Sequence, residues 1–203
     1  MDAARPAIVT VGHSSRSLEQ FLALLTAHTI RTLVDVRAYP RSKRYPHFDG
    51  PALAAALASH GIDYHHLPAL GGKRPAVGSA SPDTGWRDAA MRAYAAHTRT
   101  ALFASGLDAV LRLATVRAPL ALMCAERDWQ RCHRQMIADA LLVRGVAVRH
   151  ILDAGEIEAA RLTPGAERHG DGLIYLAPQR ELFPAERTGG ERPDETVEDP
   201  VDW

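Results

Sequence analysis

Five short apolar runs, each followed by a helical pattern or a long polar loop, restrict the folds open to this chain more than any other feature. The runs are Ile8 to Gly12, Thr32 to Val36, Ile62 to Leu67, Leu120 to Cys124 and Val146 to Leu152. None is long enough for a helix that buries a face, and most are rich in β-branched and leucine residues, as strands covered on both sides require. Between them Ser17 and Gln20 form a capping-box pair ahead of Leu18, Phe21, Leu22 and Leu25, which share one helical face. Asp49 is placed to cap a helix carrying Leu53 and Leu57, which Gly61 ends. Further helices are predicted from Trp86 to His97, from Thr100 to Val116 and from Asp128 to Gly145, and a short strand at Leu173 to Leu176. Strands alternating with helices predict an α/β fold: one domain over residues 1–183, with a mostly parallel sheet flanked by helices on both faces.

The length of 203 residues suits one core, and no apolar run approaches the roughly 20 residues of a membrane-spanning helix. The start, Met1 to Pro6, lacks a secretory signal, so a cytoplasmic location is expected. The formal charge of zero is unevenly spread. Pro184 to Trp203 holds seven acids and two arginines, leaving 22 basic against 17 acidic residues elsewhere. That tail, 184–203, is expected to be disordered. The net positive remainder suits an anionic small molecule or nucleotide as partner; it is too weak to argue for wrapping a nucleic acid.

In open parallel sheets ligands bind beyond the carboxyl ends of the strands. The first run leads into His13 and Ser14, the second ends at Asp35 and Arg37 with Arg41 and His47 on the loop beyond, and the fourth ends at Cys124, Ala125 and Glu126. Helix amino ends after the first and fourth strands would add backbone donors for an anion. Arg37 and Arg134 are therefore expected to hold an anion, Glu126 or His13 to move a proton or attack, and Trp86 or Tyr94 to stack on a planar ring. Each residue also has a plain structural reading: Asp35 can be locked against Arg37, and Glu126 can be a carboxylate at the start of a helix.

Cys124 and Cys132 are the only cysteines, too few for a disulfide framework. Cys124 is a candidate thiolate nucleophile, although no arginine stands where a cysteine phosphatase loop would place one. Cys124, Cys132 and His133, with His13 from another loop, offer ligand types for zinc, but seven residues separate the cysteines, far from the usual short hook. The expectation is free thiols, no metal and no cofactor.

The stretches Thr10 to Ser14, Leu33 to Arg37, Pro46 to Phe48, Leu67 to Gly72, Leu122 to Glu126 and Cys132 to Arg134, with Ser81 to Trp86 and Arg92 to Tyr94, make the chain resemble the domain of unknown function 488 family. The resemblance implies an α/β domain with these motifs around one pocket and carries no activity with it. Three functional expectations follow from the residues. The first is a hydrolase or transferase acting on a phosphate-bearing small molecule, nucleotide or nucleic-acid component. The second is a noncatalytic anion-binding or regulatory module, and the third a metal or thiol-redox protein centred on Cys124 and Cys132.

Overall fold

A computed structural model of the chain describes residues 8–78 and 80–177. The acidic segment 184–203 lies outside the described residues. The strands β1 (Ile8–Gly12), β2 (Thr32–Asp35), β3 (Asp63–His66), β4 (Leu120–Cys124), β5 (Val148–Asp153) and β6 (Glu156–Ala159) form one sheet in the order β3-β2-β4-β1-β5-β6. The first five are parallel and β6 is antiparallel to β5. The helices α1 (Leu18–Ala27) and α2 (Gly50–Ser59) cover one face, and α4 (Ala101–Val116) and α5 (Arg134–Val143) cover the other, with α3 (Ala89–His97) on that second side. A separate hairpin, β7 (Ala166–His169) and β8 (Gly172–Tyr175), packs beside α3 and α5.

Alternation along the strands produces the two cores. Val9, Val11, Leu33, Ala121 and Met123 meet Phe21, Leu25, Leu53 and Leu57, whereas Ile8, Val34, Leu120 and Leu122 meet Phe103, Val110, Ile137 and Leu141. The apolar stripe of each helix is what this double burial demands. At the outer strands the pattern changes: β3 is half-buried throughout, and β6 exposes Glu156 and Glu158.

Local signals hold in several places. Ser17 and Gln20 complete a reciprocal capping box, and Gly61 and Gly145 end their helices with φ of +69° and +76°. Others are re-employed. The Asp49 carboxylate accepts from the Ser42 amide at 2.6 Å instead of capping α2. Asp128 caps only a 3-10 turn over Trp129–Arg131, and α5 begins later at Arg134. The helix expected from Trp86 starts at Ala89, capped by Asp88. The last predicted strand, β8, pairs with β7 rather than joining the main sheet.

The connections decide where a ligand can go. From β2 the chain crosses through α2 to β3 on one side; from β4 it crosses through α5 to β5 on the other, and these helices lie on opposite faces. Adjacent strands whose crossovers diverge leave a crevice at their carboxyl ends. Among the described residues no helix is long and apolar enough to cross a membrane.

Candidate functional site

A cleft of about 760 Å³ occupies the crevice beyond β2 and β4. Its floor is Cys124, Cys132 and His133, its wall includes Trp86, Met91 and Tyr94, and its mouth carries Arg41, Lys73, Arg131 and Glu126. The four mouth residues are exposed. A depression of similar size over α1 is lined by residues such as Leu22, Ala23 and Thr26 and gathers no comparable chemistry.

At the β2 side, Asp35 is completely buried and Arg37 nearly so. The Arg37 guanidinium donates to the Asp35 carboxylate from Nε at 2.9 and 3.1 Å and from Nη2 at 2.6 Å, and Nη2 also reaches the Phe48 carbonyl at 2.8 Å. Tyr64 Oη donates to the same carboxylate at 2.8 Å. His13 donates from Nδ1 to the Ser14 carbonyl at 3.0 Å, so its Nε2 is left to accept from Arg37 Nη1 at 3.4 Å. Burial holds the His13 imidazole down to about pKa 4, and the neighbouring Arg37 charge adds to the effect. Its ring stacks on Phe48 at 4.1 Å. This is a neutral histidine supporting an ion pair that fixes the loop after β2.

At the β4 side the sulfurs of Cys124 and Cys132 lie 2.9 Å apart, both buried but both bordering the cleft. The turn at Trp129–Arg131 folds the second cysteine back over the first. His133 donates from Nε2 to the Val36 carbonyl at 3.0 Å, which turns its Nδ1 to Cys132 Sγ at 3.6 Å. Arg134, 1% exposed, donates from Nε to Cys132 Sγ at 3.4 Å and from Nη2 to the Glu126 carbonyl at 2.6 Å. No carboxylate lies within ion-pair distance of Arg134 among the described residues. Burial pushes the Cys124 thiol well up, and its contact with Cys132 adds to this. Burial also opposes ionisation of Cys132, but the hydrogen bonds of Cys124 and His133 and the Arg134 charge outweigh it and hold that thiol well below its ordinary value. Behind Arg134, Thr10 Oγ1 bridges to His150 Nδ1 at 2.7 Å, and the His150 ring stacks on Trp129.

Of the residues singled out from sequence, Arg37, Arg41, Trp86, Tyr94, Cys124 and Glu126 line the cleft. His13, Ser14, Asp35, His47 and Arg134 do not. His13, Arg37 and Glu126 do share one edge of the sheet, as expected, because each follows the carboxyl end of a parallel strand. The expectation that Arg37 and Arg134 close on one anion is corrected: Arg37 is occupied by Asp35, and Arg134 sits behind the cysteines with its donors turned to sulfur and carbonyl oxygen. His47 is turned to the Arg16 carbonyl at 3.1 Å, and Ser14, at φ of +51°, donates its backbone N–H to the Ala125 carbonyl at 2.9 Å. The Tyr94 hydroxyl is taken by the Leu70 carbonyl at 2.8 Å, so this ring is a wall rather than a polar contact. Lys73 and Arg131 were not read as cations of the site. The available signal for Lys73 was its place after Gly71 and Gly72 in a loop too long to be a mere connector.

Gly72 completes the floor. A Cβ there would stand 2.5 Å from His133 Nδ1, so only glycine leaves that nitrogen accessible without displacing the ring. Gly12 serves the neighbouring loop, because a Cβ there would fall 1.9 Å from the Glu126 carbonyl oxygen.

Comparison with curated proteins and with solved structures gives no match for this chain. A family model described as "Domain of unknown function DUF488" matches residues 17–141, more than half of the chain, spanning the cleft's residues from Arg37 to His133 and leaving His13 outside. The chain therefore belongs to the DUF488 family.

Proposed function

We propose that this protein is an enzyme that hydrolyses, or transfers a group on, an anionic small molecule carrying a planar ring, with phosphate-bearing nucleotide-like compounds as the fitting class. The observation that carries this reading is the composition of the cleft: three cations without a carboxylate partner among the described residues, of which Lys73 lies over the Tyr39 ring, stand at the mouth opposite a floor of two thiols and an imidazole. Arg41, Lys73 and Arg131 form no carboxylate ion pair among the described residues. Electrostatic attraction would bring the anion to this rim, and the apolar wall of Trp86 and Met91 would take the ring. Glu126, exposed at the rim, is the group best placed to accept or return a proton.

A screen of nucleotides, phosphate esters and glycosidic nucleosides against the full chain tests the reading. Turnover is expected to fall by about 10²- to 10⁴-fold in Glu126→Gln while the far-UV spectrum is retained. Binding of such compounds without turnover would replace the enzyme with an anion-binding module. Binding unchanged in Lys73→Ala and Arg131→Ala would remove the anion from the proposal altogether.

A further inference from the structure

We propose that Cys124 Sγ, Cys132 Sγ and His133 Nδ1 are three ligands of a thiophilic divalent cation, zinc being the ion that fits, with its fourth position open to the cleft. The three donor atoms lie within 4.8 Å of one another. Two thiolates and an imidazole suit zinc over the hard cations, and three protein ligands with one free position is the pattern of a zinc ion that works on a substrate or water.

Four observations support the site independently of the donor types. His133 is anchored through Nε2 to the Val36 carbonyl, the arrangement by which a metal-bound histidine is fixed in tautomer and direction, and its Nδ1 faces Cys132. Tetrahedral bonds to zinc place sulfur and nitrogen about 3.6 Å apart and two sulfurs about 3.8 Å apart. The Cys132 to His133 separation is 3.6 Å already, and the sulfur pair at 2.9 Å must open by about 0.9 Å, which a side-chain rotation of Cys124 can supply. Gly72 keeps clear the space beside Nδ1 that any side chain would occupy. Finally, Arg134 donates to Cys132 Sγ and has no carboxylate partner among the described residues. A divalent ion with two thiolates is neutral, and an anionic fourth ligand makes the centre singly negative, the charge that a buried guanidinium requires. The site therefore favours hydroxide or a substrate oxyanion in its open position, and this last assignment rests on the function proposed above; the three protein ligands do not.

The protein, prepared in full length with reductant and without a histidine tag, should carry about one zinc per chain by elemental analysis. After removal of the metal, cobalt(II) should produce thiolate-to-cobalt charge-transfer absorption and the visible bands of a tetrahedral ion, displaced by zinc at one equivalent. Cys132→Ser should abolish the charge-transfer bands, and Gly72→Ala, which keeps all three ligand residues but crowds His133 Nδ1, should weaken cobalt binding at least tenfold. Folded, reduced wild-type protein that gives no such bands with added cobalt would overturn the site, as would Gly72→Ala binding as tightly as wild type or a mass two daltons light showing a native disulfide. Turnover that persists in metal-free protein would overturn the assignment of the open position and spare the enzyme reading; stoichiometric metal without turnover of any compound would support the three ligands and overturn that reading.

Discussion

Two buried arginines sit at neighbouring strand ends and are treated differently by the fold. Arg37 is saturated: it has a buried carboxylate, a carbonyl and an imidazole nitrogen, and the carboxylate has a tyrosine besides. Arg134 has backbone carbonyls, sulfur and the Thr10 hydroxyl, but no carboxylate among the described residues. An arginine held by a permanent anion builds a wall, whereas one held by an ionisable sulfur leaves its counter-charge free to change with protonation, a ligand or a metal. The β2 side is thus the scaffold of the cleft and the β4 side its reactive part.

The comparison breaks most clearly under replacement by methionine, which keeps much of the side chain's bulk. Arg37→Met leaves the Asp35 charge buried, and neutralising a carboxylate at pH 7 is itself costly, so unfolding in urea should show a loss of about 3–5 kcal/mol. If the loss is below about 1 kcal/mol, Asp35 is better solvated than its complete burial implies.

Next in size comes acid. Burial lowers both His13 and His150 to about pKa 4, and the Arg37 and Arg134 charges respectively contribute. Below pH 6.5 the unfolded chain takes up protons at these residues that the folded protein refuses until about pH 4. The stability associated with each is therefore complete above 6.5 and is lost as the pH falls through that window. By pH 5 each should have contributed a loss of about 2 kcal/mol. His13→Gln and His150→Gln, one in each region, should each flatten the stability profile between pH 6.5 and 5; a slope unchanged in both variants contradicts neutral burial.

Arg134→Met should cost less than Arg37→Met, about 1–3 kcal/mol, because the partner it abandons can become a thiol at pH 7 without penalty, leaving chiefly the lost hydrogen bonds to carbonyls. Equal losses in the two variants would erase the distinction between the two sides. The smallest effect is expected at Arg117, whose paired contact with Asp63 at 2.9 and 3.1 Å is exposed on both partners. Arg117→Ala should change stability by less than about 1 kcal/mol and provides the scale for a solvated pair.

Much of the scaffold was readable because its causes are local. Ser17 and Gln20 close their box within one turn, and β1, β2 and β4, mostly apolar, are buried over their whole length because both faces are covered. What escaped depends on distant contacts. β6 offers a single large apolar residue, Ile157, between glutamates, and becomes a strand by pairing with β5. Cys132 stands eight positions after Cys124, and only the 3-10 turn at Trp129–Arg131 brings their sulfurs together. The role of Gly72 was equally hidden, since the ring that needs its space belongs to His133, sixty-one positions away. Asp35 and Arg37 were legible as a pair, but not that their pairing would remove Arg37 from the duty of holding a ligand.

The outer strands of the sheet carry a further implication for the protein in a crowded solution. β3 and β6 are each only four residues long, and neither has a strand on its outer side among the described residues. One bears Asp63, His65 and His66, the other Glu156 and Glu158. A strand added from another molecule would find a short ladder and would have to approach these ionisable side chains, so the open ends of the sheet act as gatekeepers against edge-to-edge polymerisation.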